Sequence, residues 1–127
     1  MRINMKEKTT NERDFSLYNK ILDYTNYINT YVAPNIPANR RDIRIHLLDE
    51  IYILTKNMFY ATYTKGNIRN KYIVDMQVNI SLIDMLTTQL RTISTIPTKH
   101  INSSISKLST IKNLIYAWKF NEESKKD

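Results

Sequence analysis

Few side chains in this 127-residue chain are equipped for chemistry: it has no cysteine, two histidines and a single glycine. Without cysteine there is no disulfide framework, no thiolate nucleophile and no Cys-based zinc site. One glycine excludes a P-loop and a Gly-x-Gly-x-x-Gly turn, so no glycine-rich loop cradles a phosphate. A helical di-iron centre needs a Glu on two helices and Glu-x-x-His on the other two. Ile43 and Pro97 stand three residues ahead of His46 and His100. Neither a metal site nor a cofactor is expected.

The remaining chemically informative groups are cations. Nineteen Lys and Arg face twelve Asp and Glu, a formal charge of +7 that points to an anionic partner. The stretch "NIPANRRDIRIH" places Arg40, Arg41 and Arg44 in the first turn of an expected helix. Each such cation faces the positive end of the helix macrodipole, at about 0.3–1 kcal/mol when exposed. A bound phosphate or an acidic partner surface would neutralise them; so would Asp42 and nearby carboxylates. Asn39, following Pro37, is the expected N-cap. Lys65, Arg69 and Lys71 gather around the next turn, Arg91 and Lys99 flank the one after, and Lys112 and Lys119 lie along the last helix. Cations at helix ends suit a protein that grips a phosphate backbone through several salt-sensitive contacts. The nine tyrosines could stack on unpaired bases, although several fall within helix stripes and fit a core equally well.

These residues need elements to position them. The scarcity of Gly and Pro divides the chain into four long amphipathic segments. The first, about 14–33, carries Tyr18, Ile21, Leu22, Thr25, Ile28 and Val32 at helical spacing and ends at "APNIP". The second, about 40–63, repeats Ile43, Leu47, Ile51, Leu54, Met58 and Ala61 and ends at "TKGN". The third, about 69–93, has two apolar sides: Ile73, Met76, Ile80, Ile83 and Leu90 on one, Val78, Leu82, Leu86 and Ile93 on the other. The fourth, about 98–120, carries Ile101, Ile105, Leu108, Ile111, Ile115 and Trp118. The abundant Ile, Thr and Tyr favour strands. Alternation of period two is nowhere sustained, so the helical period decides. The expectation is an all-α, antiparallel up-and-down four-helix bundle over 14–120, with a flexible N-terminal segment at 1–13 and a charged tail at 121–127. No signal peptide or membrane span is evident, so a soluble, cytoplasmic chain is expected.

"LYNKILDYTNYINTYVAPNIPANRRDIRIHLLDEI" resembles the opening half of a four-helix-bundle family. That family contains the accessory variability determinant proteins of diversity-generating retroelements and the proteins encoded in 23S rRNA intervening sequences. Its Tyr-rich first helix leads to an Ile/Phe-Pro turn with an arginine four residues after the proline, as Pro37 and Arg41 are here. "KYIVDMQVNISLIDML" is similar to its third helix, with Tyr72 and Asp75 in place, and "IKNLIYAWK" to its final motif, with Trp118 and Lys119. Two arginines common in the family's third helix are replaced by Asp84 and Thr88, and its Gly-Gly pair before the tryptophan by Tyr116-Ala117. The resemblance implies a non-enzymatic accessory protein, assembled as a homopentameric barrel, that binds a reverse transcriptase and its template RNA and supports mutagenic cDNA synthesis. A second resemblance is to the Arg-x4-His motif of HEPN ribonucleases, which Arg41 and His46 match in spacing and which would imply acid–base cleavage of RNA. A structural oligomer without a nucleic-acid role is the third expectation.

Overall fold

A computed structural model describes the backbone of residues 5–124 and the side chains of residues 16–124. The described chain is all-helical, with four helices: α1 (Met5–Tyr27), α2 (Arg41–Thr62), α3 (Gly66–Leu90) and α4 (Thr98–Ser124). Each boundary has a physical cause. Pro34 cannot continue α1, and the chain meets it through a π-helical turn at Ile28–Val32, where the Ala33 N–H donates to the Ile28 carbonyl. This wider turn keeps both Ile28 and Val32 buried. Two short 3-10 turns, Ala33–Asn35 and Ala38–Arg40, then carry the chain across to α2.

Both outer helices exceed their expected spans. α1 starts at Met5, so residues 5–13 are helical; the run contains no Gly or Pro and is rich in Lys and Glu, which favour helix. Residues 1–4 and 125–127 lie outside the described residues. α4 continues through 121–124, part of the expected tail, because Glu122 is buried in an ion pair with Arg69 and Lys119 pairs with Glu123 one turn on. α3 opens earlier than expected, at Gly66, which adopts φ +61°. That left-handed conformation favours glycine over any residue with a Cβ.

Successive helices run antiparallel. At one end Thr95, between α3 and α4, donates its hydroxyl to the Asn35 carbonyl between α1 and α2 at 2.7 Å. Tyr27 near the end of α1 meets His100 at the start of α4 at the same end, hydroxyl to Nδ1 at 3.1 Å. α2 packs extensively on α3, α3 on α4 and α4 on α1, while α1 and α2 share a slighter contact.

The core follows the 3.6-residue period. All six residues of the expected α2 stripe are buried, as are Ile73, Met76, Ile80, Ile83 and Leu90 of α3. In α1 the inward stripe is Leu17, Ile21, Tyr24, Ile28 and Val32. The expected Tyr18 and Leu22 are instead exposed on the flank facing α2. Two overlapping apolar stripes run along this helix, and the one that includes Tyr24 is inside. Ile93 and Ile96 bury themselves in the connection before α4 and close that end of the core. Trp118 is completely buried at the opposite end, where a large side chain contributes about 3–5 kcal/mol.

Candidate nucleic-acid and partner interface

The up-and-down topology divides the ten expected basic residues between two ends. Arg40, Arg41, Arg44, Arg91 and Lys99 sit at the end where α2 begins, α3 finishes and α4 begins. Lys65, Arg69, Lys71 and Lys119 sit at the other, and Lys112 lies partway down α4. The 22 residues of α2 separate these ends by about 33 Å, at about 1.5 Å per residue.

At the first end, α2 starts without a side-chain cap. The cap position is Arg40, not Asn39, which lies exposed within the preceding 3-10 turn. Pro37 sets that turn's start with an extended backbone, φ −70° and ψ 158°, and so moves the helix start one residue past the expected cap. Arg40 Nε lies 3.6 Å from Asp42 Oδ1, an exposed pair that contributes little. Arg41 and Arg44 are exposed, with no ion-pair partner among the described residues. Arg91, also exposed, stands at the C-terminus of α3, where the dipole favours a cation. Lys99 lies exposed in the first turn of α4. Two helix N-termini and two C-terminal ends meet here, so their partial charges offset and the dipole penalty on the arginines is reduced.

The opposite end has a different character. Arg69, expected among the nucleic-acid contacts, is a structural clamp. Its Nε donates to the Ala61 carbonyl at 2.8 Å and its Nη2 to the Thr62 carbonyl at 3.2 Å, satisfying two orphan carbonyls at the C-terminus of α2. Nη1 donates to Glu122 Oε1 at 3.1 Å, and the guanidinium lies 5.6 Å from the Trp118 ring centre. Only 13% of the Arg69 side chain and 6% of that of Glu122 are exposed. The planar fork that suits arginine to phosphate here joins α2, α3 and α4. Lys65 is exposed, Lys71 pairs with Asp75 at 3.1 Å and lies over the Tyr72 ring, and Lys119 pairs with Glu123. Tyr72 is half-buried and stacks on Tyr60, with centroids 4.9 Å apart.

Lys112 reaches across to Asp84 at 2.5 Å, an ion pair that ties α3 to α4. Thr88, one turn on, donates its hydroxyl back to the Asp84 carbonyl. His46 and Arg41 are both exposed on α2, at the five-residue spacing of the expected Arg-x4-His motif. His100 is occupied by the Tyr27 hydroxyl and stacks on Tyr31 at 5.0 Å.

Some organising residues gave no sequence signal. Asn79 is buried between α2 and α3, where Asn57 Nδ2 donates to its Oδ1 at 2.9 Å and its Nδ2 donates to Glu50 Oε2 at 2.6 Å. Tyr24 carries its hydroxyl into the core. Burial first, and then the Asp84 carboxylate, hold the phenol above its ordinary range, and the neighbouring Thr87 hydroxyl offsets this only in part.

The second apolar side of α3 divides. Leu86 and Ile93 are buried, whereas Val78 and Leu82 are exposed and continue through Val74 and Met85 as an outward stripe. On α2, Ile53 and Tyr60 are also exposed. No protein-family model, no curated protein and no solved structure matches this chain.

Proposed function

We propose that this protein is a non-enzymatic accessory factor of a diversity-generating retroelement, a homopentamer that binds the reverse transcriptase and its template RNA. The observation that carries this reading is the group of cations at one end, with Arg41, Arg44, Arg91 and Lys99 exposed and half-buried Arg40 paired with Asp42. Such a cluster suits a phosphate backbone. The outward stripe of Val74, Val78, Leu82 and Met85 supports assembly, because an uncovered apolar face on a small domain serves association.

The test is co-purification of the tagged protein with the reverse transcriptase and RNA encoded beside its gene, at low and high salt. Capture that weakens with salt and is lost when Arg40, Arg41 and Arg44 become Ala supports the accessory role. RNA degradation abolished by His46→Ala would overturn it in favour of a ribonuclease. Neither capture nor cleavage, with an oligomer still present, would leave a structural protein.

A further inference from the structure

The α1–α2 seam is the least closed of the four helix junctions. Thr25 of α1 and Tyr52, Thr55, Lys56 and Phe59 of α2 line it. The rings of Tyr18 and Phe59 meet across it with centroids 6.1 Å apart. Helical spacing extends both walls. Tyr18, Leu22 and Thr25 recur on α1, and Arg41, Ile45, Tyr52, Phe59 and Tyr63 recur on α2 at intervals of four and seven, which keeps them on one face. Tyr52 is 77% exposed and Tyr63 82%, so their rings are presented to solvent rather than packed. The charged groups on this face are Arg41 at one end, Lys56 midway and Asp49, seven residues before Lys56 and three before Tyr52.

We propose that the α1–α2 seam is a track for unpaired RNA, with bases stacking on Tyr52 and Phe59 and the backbone held by Lys56 and Arg41. This deepens the RNA-binding reading above and rests on it. Every base has a π-face, so exposed aromatic rings alternating with cations form a sequence-tolerant platform for single strands. A duplex offers phosphates alone and would leave the rings unused.

The experiment is fluorescence anisotropy of the full chain with a labelled oligouridine strand and, separately, an RNA duplex of equal length. Tyr52→Ala should weaken the single-strand complex about 5- to 150-fold, the range for loss of one stacking platform, and leave duplex binding unchanged. Tyr52→Trp should restore single-strand binding. Equal single-strand affinity for Tyr52→Ala and the parent would overturn the proposal. So would a fall in oligomer mass with RNA affinity intact, which would make the seam a contact between copies. Binding of duplex but not single strand rejects the track and leaves the accessory reading standing; loss of both RNA binding and reverse-transcriptase capture rejects the two together.

Discussion

Replacing Arg69 by Ala removes one side chain that three helices share. Two donors to the final carbonyls of α2 disappear, together with the pairing to Glu122 and the guanidinium over Trp118. Because the ion pair is largely out of solvent, at 13% and 6% exposure, screening does little to soften the loss. Breaking a buried pair from one side costs about 3–5 kcal/mol, and for a domain of this size that lowers Tm by roughly 10–20 °C. Arg69→Lys keeps the charge and loses the fork, so about 1–2 kcal/mol is expected. Arg41→Ala, on an exposed side chain, should change stability by less than about 0.5 kcal/mol. Thermal unfolding of the three variants followed by circular dichroism orders them. If Arg69→Ala melts no lower than Arg41→Ala, the clamp does not hold these helices together and Arg69 returns to the surface cations.

Asn79→Ala should cost about 1–3 kcal/mol in urea unfolding, because half-buried Asn57 and Glu50 each lose a partner. A double-mutant cycle with Asn57→Ala should return clear coupling, and additive effects would count against the latch. Gly66→Ala should cost about 1 kcal/mol through its φ of +61° alone, since a Cβ there meets no atom within 4 Å. Gly66→Asn should cost less, and equal stability of all three residues would show that the turn can relax.

The helices were legible because their punctuation is sparse and unambiguous. Pro34, Gly66 and Pro97 mark the ends, and the α2 stripe from Ile43 to Ala61 is buried residue for residue as its period demands. Less legible was which of two neighbouring stripes faces inward. In α1 the choice between Tyr18 and Tyr24 depends on where α2 and α4 lie, which local periodicity does not encode. Arg69 was misread for a related reason. Its partners Ala61, Thr62, Trp118 and Glu122 stand up to 53 residues away, and nothing near "GNIRNK" distinguishes a clamp from a solvated cation. Asn79 likewise reads as a polar break in an apolar side until α2 supplies Asn57 and Glu50.

The two ends of the bundle also set the reach of its charge. Salt at physiological strength screens electrostatic influence beyond about 8 Å, while α2, with its 22 residues, holds the ends about 33 Å apart. An anion docked beside Arg41 is therefore insensitive to Lys65 and Lys71. The +7 of the whole chain does not act as one field; it consists of local fields, and only a ligand long enough to lie along the bundle can draw on both tips at once.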